Sequence, residues 1–304
     1  MPPKPLETDT EELGTYSDGE LTAHDDHSSD SLSAIEPLSP HSLNAIRRLA
    51  RYKPPPDPYP YPAGRAAVLV CLFGSRSGTN LNVLLSTRSE ALRTYPGQVA
   101  LPGGKMDADD INLEATARRE AFEEVGIPID TTRIRYLTTL PPFLTRSLVL
   151  VTPVVCFILD YSLKPDINPS EVSDLFSFPL EGFLVSSSSS PVFHKPTPTP
   201  TSTTDGTRPA PFHTFEDYPW FDGRPHRFHS FEARPKPITG LTAEILIHVA
   251  SIAYGRPPEY ELMAPGEMSQ HELIQRATRS PKWNELRNEK VRGGRGEACA
   301  KGKL

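Results

Sequence analysis

The chain has 304 residues, a net charge of −6, 34 prolines and 37% hydrophobic residues. That length suits one or two domains, but the apolar share lies below the roughly 45–50% of a typical globular protein, so one compact domain with disordered flanks and an inserted loop is expected. The acidic balance gives no overall pull toward nucleic acid or an anionic membrane, and no apolar stretch approaches the about 18 residues of a membrane span.

Residues 1–40 hold ten acidic side chains against one lysine. They read as a disordered segment, with neither the apolar core of a signal peptide nor the arginines of a transit peptide. Residues 42–53 read as a short helix capped by Ser42, with Leu43, Ile46 and Leu49 on one face. The prolines of 54–62 end it as a stiff linker. The apolar run 66–74 and residues 81–88 read as paired strands around a turn at 75–80. A helix is expected at 112–125, where Leu113, Ala117, Ala121 and Val125 form a stripe and Gly126 is the stop. Strands follow near 133–140 and 147–159; Pro153 in the second suggests an edge strand or a bulge. Residues 170–178 read as a short turn or helix. The Ser/Thr/Pro-rich stretch within 185–211 reads as a solvated insertion. A strand at 226–233 and an amphipathic closing helix at 241–255 follow, and a polar, then basic, tail is expected over 261–304. The domain itself is expected over 42–260. Cys71, Cys156 and Cys299 are far apart and form no CxxC pair, which argues against a disulfide framework or a zinc site and for a reducing compartment. Cys71 and Cys156 lie in apolar runs and read as core.

The chemistry concentrates on the helix at 112–125. Residues three and four apart share a helix face, so Glu120, Glu123 and Glu124 present three carboxylates to one side. They repel one another and sit near the helix C-terminus, where the macrodipole disfavours anions. A hard divalent cation, Mg2+ or Mn2+, would remove the conflict. Such a cluster alone is more often a solvated acidic surface. Its setting argues otherwise: Gly103-Gly104 lets backbone approach a ligand closely, and Arg119 sits among the acids.

The string LPGGKMDADDINLEATARREAFEEVGI resembles the Nudix box. Gly104, Arg119, Glu120, Glu123, Glu124, Gly126 and Ile127 match it. The box's first glutamate falls on Asp110, and Arg119 comes one residue late. The run Gly103-Gly104-Lys105 with Asp107 and Asp110 is similar to the coenzyme A diphosphatase subfamily. So is the upstream stretch from Leu84 through Arg88, Arg93 and Gly97 to Leu101-Pro102-Gly103-Gly104. Residues 168–180 and 238–246 add to the likeness, which covers about 45–255. The resemblance implies an α+β fold, an α/β/α sandwich with a mixed sheet between helices. It implies that Glu120, Glu124, Glu123 and the Gly104 carbonyl hold Mg2+ or Mn2+, with Arg119 orienting the acids. Arg88, Arg93, Gly103, Gly104 and Lys105 would meet the substrate, and Glu171 is the candidate base. The implied substrate is coenzyme A or an acyl-coenzyme A, cut to 3′-phosphoadenosine 5′-phosphate and (acyl-)4′-phosphopantetheine. Other nucleoside diphosphates, or a silent nucleotide-sensing domain, are the alternatives. The last residues, Gly302-Lys303-Leu304, resemble a peroxisomal signal in part, so a peroxisomal or cytoplasmic location is expected.

Overall fold

The first helix, α1 (Pro40–Arg51), begins before the expected Ser42 cap: the Ser39 side chain accepts from the Ser42 N–H. Pro40 then takes the first helical position, where a missing N–H costs nothing. Ala45, Ile46 and Leu49 are fully buried on its inner face. The computed structural model describes residues 38–57, 64–75, 80–160, 162–193, 211–220, 223–281 and 283. The acidic segment 1–37, residues 194–210 of the insertion, Cys299 and the C-terminal Gly302-Lys303-Leu304 lie outside the described residues.

The main sheet has eight strands: β1 (Arg65–Gly74), β2 (Leu81–Arg88), β3 (Val99–Ala100), β4 (Gly103–Lys105), β5 (Ile134–Thr139), β6 (Phe143–Leu144), β7 (Leu150–Ile158) and β8 (Val172–Pro179). Its order is β3-β2-β1-β7-β5, with β4 on β1, β6 on β7 and β8 on β2. β1 and β7 run parallel and the other pairs antiparallel, so the sheet is mixed. Between β4 and β5 comes α2 (Leu113–Val125), capped by the Asn112 side chain and ended by Gly126 at φ 67°. A smaller antiparallel sheet follows, with β10 (Pro225–Phe231) between β9 (His213–Pro219) and β11 (Ile238–Thr239). Two further helices follow among the described residues: α3 (Gly240–Tyr254) and α4 (Gln270–Thr278).

Alternation along the strands makes two faces. Ala67, Leu69 and Cys71 of β1 and Val154 and Cys156 of β7 bury against Ala117, Ala121 and Val125 of α2, with Leu113 packed beside them. The register of β5 against β7 shifts between Tyr136 and Thr138, so Thr138 pairs with Val155 instead of Val154 and faces away from α2. There its hydroxyl donates to the Tyr52 carbonyl at the end of α1, 3.0 Å away. α1 packs on α3 and β5, so the sheet lies between helices, the α/β/α arrangement that the resemblance implies.

Three expectations are corrected, and one strand was not anticipated. β7 is an interior strand despite Pro153, with β1 on one side and β5 and β6 on the other. Within a strand a residue's N–H and carbonyl point the same way; the Pro153 carbonyl accepts from Leu140 N at 2.9 Å, so the missing N–H falls in the gap between β5 and β6. Residues 172–179 are not a turn or helix but a strand along the whole of β2, which polar residues such as Ser173 and Asp174 had masked. β9, almost wholly exposed, carries no buried alternation to reveal it. The expected tail from 261 contains α4, opened by a capping box of Ser269 and Glu272. Its Leu273, Ile274 and Ala277, with Trp283, bury against Leu144, Leu148, Leu150 and Trp220.

Candidate functional site

α2 carries the acids and two backbone approaches fix how they sit. A Cβ on Gly103 would meet the Ala67 carbonyl at 2.3 Å, and one on Gly104 would meet the Glu120 carboxylate at 2.4 Å. Glycine at both positions therefore lets β4 lie directly on β1 and on the acid face of α2. The Gly103 N–H donates to Glu124 Oε2 at 3.0 Å. Burial pushes the Glu124 carboxyl up to about 7, with the Gly103 N–H and Arg88 opposing and Glu120 and Glu171 adding to the rise. Burial likewise raises Glu120, against the pull of Arg119, with Glu123 and Glu171 adding to it.

Arg119 holds the cluster together. It donates to both oxygens of Asp110 (3.0 and 2.9 Å), to Glu120 (2.9 Å), to Glu123 (3.2 Å) and to the Lys105 carbonyl (3.2 Å). Asp110 also accepts from the Thr116 hydroxyl and the Asp107 N–H, each at 2.9 Å. The Arg119 hydrogen bonds hold the Asp110 carboxyl far below the usual carboxylate range, and Asp110 in turn raises Arg119.

Glu171 rides on a loop stapled to the end of α2. Asp166 N donates to the Val125 carbonyl at 3.1 Å, Asn168 N to the Glu124 carbonyl at 2.9 Å, and Ser89 N to the Glu171 carbonyl at 2.8 Å. Gly126 permits this, because a Cβ there would meet Asp166 N at 2.9 Å. The charge of Glu171 acts on both Glu120 and Glu124.

A cavity of about 690 Å3 opens beside these groups. Arg88 and Gly103 line it, and through the Gly103 N–H that donates to Glu124 it adjoins the acid face without Glu120, Glu123, Glu124 or Glu171 lining it; Trp220, Phe228, His226 and Glu244 line it from the smaller sheet and α3. Arg146, absent from any motif, also lines it, whereas Arg93 and Lys105 are not among the described lining residues. The structure thus brings Glu120, Glu123, Glu124, Arg119, Gly103, Gly104, Arg88 and Glu171 into one region and leaves Arg93 exposed. Asp110, Arg146 and Trp220 are the groups that sequence reasoning left without a role. The offset of Asp110 from Arg119 was the one signal available for the first; nothing local marks the other two.

A divalent cation fits the donor chemistry, since three hard carboxylates repel one another here and a glycine backbone lies against them. As the side chains stand, Arg119 and the Gly103 N–H engage them, and no three His, Cys, Asp or Glu side chains among the described residues are grouped to hold a metal ion.

Among the described residues no helix is long and apolar enough to cross a membrane. The NUDIX domain model matches residues 63–195. The chain is 37% identical over 214 residues to Nudix hydrolase 15, mitochondrial, of Arabidopsis thaliana, covering 69% of this chain and 65% of that one. It is 35% identical over 174 residues to peroxisomal coenzyme A diphosphatase 1 of Saccharomyces cerevisiae, covering 47% of this chain and 51% of that one. Against a peroxisomal coenzyme A diphosphatase of Mus musculus it is 30% identical over 227 residues, covering 73% and 82%. The chain thus spans less than two thirds of the Arabidopsis and yeast relatives and most of the mouse one. With the box residues folded as described and a relative matched over most of its length, the chain belongs to the Nudix family.

Proposed function

We propose that this protein is a metal-dependent pyrophosphohydrolase acting on coenzyme A or its thioesters. The observation that carries the hydrolase reading is the burial of Glu120 and Glu124 against Gly103-Gly104, at the edge of a cavity that Arg88 also lines. The substrate reading is supported by the Arg88 to Gly104 signature and by the likeness to the yeast and mouse coenzyme A diphosphatases.

Arg88 binds the diphosphate through its planar fork of donors. Gly103 and Gly104 let a phosphate oxygen approach the backbone without meeting a side chain. Arg119 fixes the directions of Glu120 and Glu123 while Asp110 fixes Arg119. Glu120, Glu124 and Glu123, with the Gly104 carbonyl, are the groups that would hold Mg2+ or Mn2+, exchanging their present hydrogen bonds to do so. When bound, such an ion neutralises charge on the diphosphate and activates a water. Glu171 is the proposed base for that water's proton, being the carboxylate whose charge reaches both buried acids. Attack of the water oxygen at phosphorus breaks the bridging P–O bond, giving 3′-phosphoadenosine 5′-phosphate and (acyl-)4′-phosphopantetheine.

The test is a substrate panel. The protein is incubated with Mg2+ or Mn2+ and coenzyme A, ADP-ribose or diadenosine polyphosphates, and the products are separated by chromatography. Coenzyme A should be cut fastest, to the two named products; preference for ADP-ribose would overturn the substrate reading. Peroxisomal residence is proposed on the two peroxisomal relatives alone, since the Arabidopsis relatives are named as mitochondrial and chloroplastic. Imaging a fluorescent fusion of the full chain against a peroxisomal marker tests it.

A further inference from the structure

Arg88 and Arg146 reach one cavity from different elements. Arg88, at the end of β2, acts on Glu124 and so belongs to the end where the diphosphate is cut. Arg146 stands on the turn between β6 and β7. That turn is tightly built: Leu148 takes a left-handed φ of 58°, its N–H donates to the Thr145 carbonyl at 2.9 Å, and Thr145 N donates to the Val149 carbonyl at 2.9 Å. The Thr145 hydroxyl accepts from Val149 N at 2.9 Å. A leucine keeps such a conformation only where its surroundings demand it. Here the side chain of Leu148 is buried in one cluster with Trp220, Leu273 and Ile274.

The Arg146 guanidinium lies 5.7 Å from the centroid of the Trp220 ring and pairs with no carboxylate among the described residues. The carboxylates on the cavity are otherwise engaged. Glu244 takes Gln270 Nε2 at 2.6 Å and His226 Nε2 at 3.6 Å, and Glu216 accepts from the Tyr218 hydroxyl. The cavity therefore offers two guanidinium groups that form no ion pair with a carboxylate among the described residues, one near Glu124 and one on a separate turn against an aromatic wall. An anion that carries a second phosphate apart from its diphosphate complements that layout.

We propose that Arg146 is a specificity-determining residue that binds the 3′-phosphate of the substrate's ribose, while Arg88 serves the diphosphate. This rests on the coenzyme A reading above. It assigns the discrimination between coenzyme A and its 3′-dephospho form to a residue outside the box and the upstream signature.

Two measurements test it. The first is calorimetric binding of 3′-phosphoadenosine 5′-phosphate and of AMP, without metal, to wild type, Arg146→Ala, Arg146→Lys and Arg88→Ala. Wild type should prefer the 3′-phosphorylated nucleotide. Arg146→Ala should weaken that nucleotide about tenfold or more and leave AMP unchanged, the scale of one lost charge-assisted contact. Arg146→Lys should fall between, and Arg88→Ala should weaken both. The second is steady-state kinetics with coenzyme A and dephospho-coenzyme A. Arg146→Ala should raise KM for the first about tenfold at nearly constant kcat, and leave the second unchanged. Equal effects on both members of a pair, no effect on either, or a wild type indifferent to the 3′-phosphate would overturn the proposal. If wild type cuts neither coenzyme while Arg146 still governs nucleotide binding, the coenzyme A reading fails and the phosphate site stands. If coenzyme A is cut with discrimination intact in Arg146→Ala, the reverse holds.

Discussion

Both carboxylate oxygens of Asp110 accept from Arg119, Nε at 3.0 Å and Nη2 at 2.9 Å, although the box spacing puts Arg119 one residue late. The Asp107 N–H donates to the same carboxylate at 2.9 Å and the Thr116 hydroxyl does so from α2, so Asp110 is held in place to pair with Arg119. Asp110→Asn keeps the shape but removes the charge that fixes Arg119. It should lower kcat about 10- to 100-fold, the usual cost of losing a residue that positions ligands. Steady-state kinetics beside thermal unfolding would separate that from a general loss of fold.

The two glycines of the turn should respond differently to the same change. Alanine at 103 would drive its methyl into the Ala67 carbonyl and Val68 backbone, which cannot give way. Gly103→Ala should therefore destabilise the protein by about 1–3 kcal/mol. Alanine at 104 meets only the far end of the Glu120 side chain. Gly104→Ala should unfold at nearly the wild-type temperature yet lose most activity, because Glu120 is pushed aside. Equal stability losses in the two variants would contradict this picture.

Glu120→Gln and Glu124→Gln remove one candidate metal ligand each. Each should cut turnover about 100-fold or more. Because burial already disfavours the Glu124 charge, the neutral Glu124→Gln variant should be at least as stable as wild type without metal. Full activity in either variant would remove that glutamate from the site.

His226 sits between Glu267, 2.6 Å from its Nδ1, and Glu244, 3.6 Å from its Nε2. Burial alone would lower its pKa, but the two carboxylates outweigh it and the group is raised to about 9. A folded-state value above the unfolded 6.5 contributes stability that is complete below pH 6.5 and lost as pH rises through 9. The contribution is on the order of 3 kcal/mol. Urea unfolding at pH 6, 7.5 and 9.5 should show that decline, and His226→Gln should flatten it. His213 and His229 are lowered by burial, so they titrate below this window.

What was legible in the sequence followed from strong local signals. The apolar stripe of α2, its Gly126 stop and the alternation-free run of β1 are properties of contiguous residues; the helix they define carries Glu124 buried, Glu120 half-buried and Glu123 exposed. What stayed hidden depended on partners far along the chain. β8 is a strand because β2 has a free side, β7 tolerates Pro153 because its neighbour changes at Leu140, and α4 is held by Leu148 and Trp220. The cavity was invisible for the same reason: Arg88 and Arg146 are 58 positions apart in the numbering and meet only through the sheet.

The smaller sheet and α3 supply much of the cavity wall from residues 214–245, whereas the acids, their arginine and the glycine turn all lie within 103–124. Part of the cavity wall thus comes from a stretch of chain well separated from the acids. A fragment limited to the matched residues 63–195 would keep the acids, Arg88 and Arg146 and lose the part of the cavity wall that residues 214–245 supply.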